Sequence, residues 1–226
     1  MYILLAAATT LEIQATIEFL ENAAHRVGEH QTALLITGVG SMAATYMLTG
    51  HVRDRRPDIV VQAGIAGCFT NRPAGDVVAV NEEWLADLGV WEGQGFRTLF
   101  DLGLSGKDGP PFTGGALINP YKKLLALSGL AEERAITVNE ITTSKERLRW
   151  YQQNLQPVVE SMEGGALHYV CLQERIPFIQ IRSISNQAGE RDKTKWNIGV
   201  AVRRLNDRLI ALLNELATSD ASVLEK

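Results

Sequence analysis

The sequence predicts an α/β protein, a three-layer α/β/α sandwich around a central mixed, mainly parallel sheet. Three observations predict it. The chain has 226 residues with 46% apolar and 21% charged, enough to bury a sizeable core. Short, uniformly apolar, β-branched runs alternate with longer segments of helical period, as strands covered on both faces do. And many of the 20 glycines gather where those runs end.

Strands are predicted over 2–7, 32–37, 58–63, 76–80, 134–138, 158–160 and 178–183. Helices are predicted over 10–24, 41–55, 120–127, 143–154, 163–173 and 194–217. The last carries Val202, Leu205, Leu209, Leu212, Leu213 and Leu216, close to a 3.6-residue stripe. The whole of 1–226 is expected to form one domain. Its polar tail, 218–226, is expected to fray. Between Gly89 and Gly115, eight glycines, the pair Pro110-Pro111 and the aromatics Trp91, Phe96, Phe100 and Phe112 break the rhythm. A long stretch of this kind is a lid, an interface element or a wandering hairpin, and here a pocket cover or a subunit contact is expected.

Composition excludes several classes. The formal net charge is −4, with no basic stripe, so duplex nucleic acid is not an expected partner. The longest apolar run, 2–8, is far short of the roughly 20 residues a membrane span needs. No basic residue precedes it as in a secretory signal, so an unprocessed, soluble, cytoplasmic protein is expected. Cys68 and Cys171 lack a CxxC partner, which points to buried thiols and away from a disulfide scaffold or a zinc site.

Gly38-Val39-Gly40-Ser41-Met42-Ala43 has the form of a dinucleotide fingerprint. Its context does not, because the next strand ends Val60-Val61-Gln62-Ala63-Gly64, with no acidic residue. It reads as a strand-to-helix turn with close helix packing. Gly64-Ile65-Ala66-Gly67 is expected to be a loop beyond a strand's carboxyl end, either a plain turn or one whose backbone approaches a ligand at Ile65 and Ala66. Glu12 sits in the first turn of a helix, where a carboxylate complements the dipole or faces the crevice. In Glu160-Ser161-Met162-Glu163-Gly164-Gly165 a strand ends in carboxylates able to accept from a ribose diol, with Met162 to pack on a sugar. Arg182 lies in an apolar strand and needs a carboxylate or a polar cavity, and Asn186 follows in a Ser-rich turn with a donor and an acceptor on one amide.

Together, Glu12, Gly64-Ile65-Ala66-Gly67, Ser161-Met162-Glu163-Gly164 and Arg182-Ser183-Ile184-Ser185-Asn186 resemble the purine nucleoside phosphorylase and nucleosidase superfamily over essentially the whole chain. Within it the futalosine hydrolase branch is most similar, through Glu160-Ser161-Met162-Glu163-Gly164 and Ser185-Asn186 followed by Arg191-Asp192 and Trp196. The related methylthioadenosine/S-adenosylhomocysteine nucleosidases carry Asp in place of Asn186 and Glu in place of Ser161.

The resemblance implies hydrolysis of a nucleoside through an oxocarbenium-like ribosyl transition state. It implies that Glu163 holds the ribose hydroxyls, Met162 packs on the sugar, Glu12 is the general base and Arg182 positions water and carboxylate. Thr137 and Val138 would line the base pocket. Asn186 would face a departing hypoxanthine, donating to O6 and accepting from N7–H. No metal or redox cofactor is implied. A homo-oligomer is implied, with a neighbour's loop closing the pocket and 89–115 as the candidate. The alternatives are phosphorolysis, which would require a fixed cationic cradle absent from 6–12, cleavage of methylthioadenosine or S-adenosylhomocysteine as in the related nucleosidases, and a nucleotide-binding module resting on Gly38 to Ala43 alone.

Overall fold

The computed structural model describes residues 1–93 and 95–226. Strand β1 (Tyr2–Ala7) runs into helix α1 (Thr10–Asn22), and an antiparallel pair, β2 (Arg26–Val27) and β3 (His30–Ile36), leads to α2 (Ser41–Asp54). Then come β4 (Ile59–Cys68), β5 (Val77–Leu85), the hairpin β6 (Gly89–Glu92) and β7 (Gly95–Thr98), β8 (Leu117–Ile118) and α3 (Lys122–Leu127). The chain closes with β9 (Ala131–Thr137), α4 (Lys145–Asn154), β10 (Val159–Ser161), α5 (Gly164–Glu174), β11 (Phe178–Gln187) and α6 (Ile198–Thr218).

The uniformly apolar strands are the central ones. In β1, Ile3, Leu4, Leu5, Ala6 and Ala7 are wholly buried, since β3 and β4 pair parallel on its two edges and helices cover its faces. Helix α1 packs on α6 and α2 on α5, giving the two helical layers. The α6 stripe of Leu205, Leu209, Leu212, Leu213 and Leu216 is fully buried, each leucine contributing roughly 1.5–3 kcal/mol.

The sheet is mixed, with order β10-β9-β5-β11-β4-β1-β3-β2 and β8 paired to β5. It also curls. Strand β10 pairs parallel with β9 and antiparallel with β4, so β4, β11, β5, β9 and β10 close into a ring. That closure is invisible in local sequence, and it builds the floor of the site.

Of the two irregular segments, the tail differs from expectation. The tail is docked: Ala221–Leu224 forms a 3₁₀ turn against α3, with Val223 buried and Lys123 paired to Glu225 at 2.8 Å. Its apolar Val223 and Leu224 meet the core, which outweighs the polar composition around them. The stretch 89–115, of which Gln94 lies outside the described residues, holds the hairpin of β6 and β7, one of the forms its composition allowed. Aromatic contacts anchor it, Phe96 to Trp150 of α4 at 5.4 Å and Phe112 to Tyr169 of α5 at 6.1 Å between ring centroids. Both cysteines are buried free thiols.

Candidate active site

A cavity of about 360 Å³ opens beside β4, β10 and β11, lined in part by Glu12, Ile65, Gly67, Met162, Glu163 and Asn186. With Val39 of the Gly38 to Ala43 turn also in its lining, it gathers residues from five segments that the sequence reading picked out separately. A larger but more open depression of about 690 Å³ on α2, around Ser41, Thr45, Thr49 and Arg53, has no carboxylate in its lining.

Glu12 is 9% exposed and held at three points. Its Oε2 accepts from the Thr9 N–H and hydroxyl, both at 3.1 Å, and its Oε1 accepts from Ile65 N–H at 3.1 Å. This is not the free surface carboxylate typical of a first helical turn. The helix bends just beyond it, where Ile13 has φ −124° and ψ 21°. Asn206 of α6 repairs that bend: its Nδ2 donates to the Glu12 carbonyl at 2.9 Å. Its Oδ1 accepts from Thr16 N–H at 2.9 Å and from the Thr16 hydroxyl at 2.7 Å. Sequence reasoning missed Asn206, whose one signal is an amide next to Leu205 on an otherwise apolar stripe.

Gly64 to Gly67 do not form the expected loop. They continue β4, whose pairing with β11 runs on to Cys68. Asn186 likewise belongs to β11 and not to a turn. Glycine in this strand has a positional reason: Arg182 stands opposite Gly64 in the register, and its Nη1 lies where a Gly64 side chain would be. Arg182 is 1% exposed, donates from Nη2 to Gln62 Oε1 at 2.9 Å and faces Glu163, Nη1 to Oε2, at 3.7 Å. Buried guanidinium and buried carboxylate thus compensate each other.

Glu163 closes the strand-to-helix junction before α5. Its Oε1 accepts from Gly40 N–H at 3.0 Å, and the Ser41 hydroxyl donates to the Met162 carbonyl at 3.0 Å. The Gly38 to Ala43 turn therefore holds the Met162-Glu163 segment, and Gly40 needs its φ of +95° to aim that N–H. Ser161 accepts from Gly164 N–H at 3.3 Å, satisfying one open donor at the start of α5.

Asn186 marks the other end of the cavity. Its Oδ1 accepts from the Ser185 hydroxyl at 2.7 Å and its Nδ2 donates to the Gln187 carbonyl at 2.9 Å. One hydrogen and one lone pair of the amide stay open. Glu160 lines the same end, and burial raises its carboxyl above the ordinary range while Thr142 hydrogen bonds oppose the shift.

Ile65 and Ala66 line the cavity as expected. Thr137 and Val138 do not. The Thr137 hydroxyl accepts from Gly165 N–H at 2.7 Å and donates to Glu83 Oε1 at 2.9 Å, capping α5 from beneath. Val138 is wholly buried with Ile136, Ala86, Tyr151 and Leu155. The chain must run three residues further before Ile141 reaches the cavity.

Beneath α5 lies a polar group that sequence reasoning did not single out. Burial pushes the Glu83 carboxyl up to about 7, against the Thr137 hydrogen bond and the Arg182 charge. Burial also pushes His168 down to about 3. Glu83 Oε2 and the Gln180 amide both crowd the Cα of Gly164, where a larger residue has no room. Among the described residues no group of three or more His, Cys, Asp or Glu is placed to hold a metal ion, and no helix is long and apolar enough to cross a membrane.

The fold and the carboxylate-and-amide cavity at the ends of β4, β10 and β11 define a nucleoside phosphorylase-like α/β protein. The family model described as phosphorylase superfamily matches residues 8–218, and the chain belongs to that family. It is similar to a futalosine hydrolase from Acidothermus cellulolyticus, 30% identical over 186 residues that cover 79% of this chain and 74% of the relative. It is also similar to a 5'-methylthioadenosine/S-adenosylhomocysteine nucleosidase from Shewanella loihica, 29% identical over 82% of this chain and 80% of that one. Among solved structures, a 5'-methylthioadenosine/S-adenosylhomocysteine nucleosidase from Colwellia psychrerythraea in complex with adenine superimposes with a TM-score of 0.78. That pair is 20% identical, covers 96% of each chain and shares the fold.

Proposed function

We propose that the chain is a cytoplasmic nucleosidase that hydrolyses futalosine, releasing hypoxanthine. The observation that carries this reading is Asn186, a neutral amide at the base end with one donor and one acceptor open. A 6-oxopurine leaving group presents O6 and N7–H, which such an amide matches. A carboxylic acid at this position would suit the N7 and exocyclic amine of adenine.

In this reading Glu163 accepts from the ribose hydroxyls, with Met162 against the sugar. Arg182 neutralises Glu163 and, with Gln62, fixes its direction. Glu12, held by Thr9 and Ile65, takes the proton of a water attacking the anomeric carbon, a role worth about 10²- to 10⁴-fold. As the glycosidic bond breaks, its electron pair passes to the base and N7 takes up a proton from solvent, so that Asn186 donates to O6 and accepts from the new N7–H, stabilising the departing hypoxanthine.

Hydrolysis is favoured over phosphorolysis by the lining. Glu12, Glu160, Glu163 and Glu190 face the cavity, and among the described residues no Lys or Arg lines it. A phosphate dianion would meet carboxylates without the fixed cations it requires. The relative named futalosine hydrolase supports the same substrate.

A homo-oligomer belongs to this proposal. No described residue of 89–115 lines the cavity of its own chain, while Leu11 and Val39 in its lining stand 69 and 59% exposed. Asn186→Asp tests the substrate assignment. Futalosine cleavage is expected to fall by at least about tenfold, with adenine release from methylthioadenosine gaining relative to it. Unchanged futalosine cleavage would remove the edge-matching argument.

A further inference from the structure

Of the carboxylates that line the cavity, Glu12 and Glu163 have roles in the reaction proposed above. Glu190 is turned to Lys195 at 2.8 Å and to Asp192 N–H. Glu160 has no role, although it is 7% exposed and sits at the end where Asn186 stands.

The strand register sets these two residues in relation. Glu160 pairs with Gly67 across the antiparallel β10–β4 edge, and Asn186 pairs with the same Gly67 across the parallel β4–β11 edge. They therefore flank one glycine at a distance of two strand spacings, about 10 Å between Cα atoms. Gly67 places no side chain on the floor between them. The two make no bond to each other, and that spacing leaves room for a flat bicyclic base.

The Glu160 carboxylate is aimed. Thr142 N–H donates to Oε1 at 3.2 Å, and the Thr142 hydroxyl makes a short bond to Oε2. Two of its roughly four acceptor sites are thereby used, which fixes the group and leaves acceptor capacity toward the cavity. An ionised carboxylate has only acceptors to offer, so what it recognises is an N–H.

We propose that Glu160 is a specificity-determining residue that accepts the N1–H of a 6-oxopurine and rejects a 6-aminopurine. The inference rests on the base assignment made for Asn186. With O6 and N7–H taken by Asn186, N1–H is the remaining donor on that edge, and Glu160 supplies its acceptor from the opposite flank of Gly67. Adenine carries a lone pair at N1, which would confront the carboxylate, so the pair Glu160 and Asn186 reads three adjacent positions on one base.

Calorimetric binding of free bases to the intact protein tests this apart from catalysis. The wild type is expected to bind hypoxanthine at least about tenfold tighter than 1-methylhypoxanthine or adenine, because either alternative leaves the buried carboxylate unpaired. In Glu160→Gln the hypoxanthine affinity should fall by at least about tenfold and the disadvantage of adenine should shrink. If that variant does not fold, Thr142→Val, which frees the carboxylate to rotate, carries the same comparison and should lose part of the discrimination. Equal wild-type affinity for hypoxanthine and 1-methylhypoxanthine would overturn the role of Glu160 alone, as would a Glu160→Gln protein that keeps full discrimination. Binding of adenine but not hypoxanthine to the wild type would overturn the 6-oxopurine reading itself.

Discussion

The guanidinium of Arg182 occupies the place where a side chain on Gly64 would be, so one residue's missing Cβ is the other's binding site. The contact orients Glu163, because Arg182 Nη1 stands 3.7 Å from its Oε2. Gly64→Ala should therefore displace Arg182, cost roughly 1–3 kcal/mol and lower kcat/KM by more than tenfold. Thermal melts and steady-state kinetics read the two effects. A Gly64→Ala, Arg182→Met double variant should lose less activity than the sum of the singles, since both disturb one contact.

Asn206 acts on Glu12 from the far side of α1. Asn206→Leu should leave Thr16 N–H and the Glu12 carbonyl unpaired in the core, at about 1–3 kcal/mol. Turnover should fall more than substrate affinity, because Glu12 is disturbed while Glu163 and Asn186 stay in place. A variant that loses stability with unchanged kcat would show Asn206 to be structural only.

Glu83 ties stability to pH. Its folded-state value is raised to about 7 from an ordinary 4.5, so between those limits the unfolded chain has lost a proton that the folded chain keeps. Its contribution therefore weakens as pH rises through that window. His168, lowered to about 3 from 6.5, acts in the opposite sense, since stability falls as pH drops below 6.5 and the unfolded chain takes up its proton. Glu83→Gln should melt higher than the wild type by several degrees at pH 8 and gain little at pH 5. An equal difference at both pH values would contradict this.

Glu12→Gln keeps the size of the side chain and removes the proposed base. Substrate binding should stay close to that of the wild type, while turnover falls by about 10²-fold or more. Single-turnover base release measures it, and normal turnover would take Glu12 out of the mechanism.

How far the sequence revealed these features depends on how local their causes are. Uniformly apolar runs identify buried parallel strands, and β1 begins and ends where its composition predicts, because burial on both faces acts residue by residue. Gly64 to Gly67 read as a loop because glycine is a turn signal, and only partners from far along the chain, β11 along the whole segment and β10 at Gly67, keep it extended. Thr137 and Val138 went to the core for a related reason, since β10, from further along the chain, pairs beside them and the Ser161 carbonyl accepts from Val138 N–H. Glu12, Glu163 and Arg182 were legible because a carboxylate or guanidinium in an apolar context has few explanations. Asn206, Glu83, Gln180 and His168 were not, since the partners that make them interesting come from other elements.

Chromatography of the base released from futalosine, inosine and methylthioadenosine, each with and without phosphate, tests the central claim most directly. Hypoxanthine from futalosine at a rate independent of phosphate, with far slower adenine release from methylthioadenosine, is the predicted result. Release that requires phosphate, or adenine as the preferred leaving base, would contradict it.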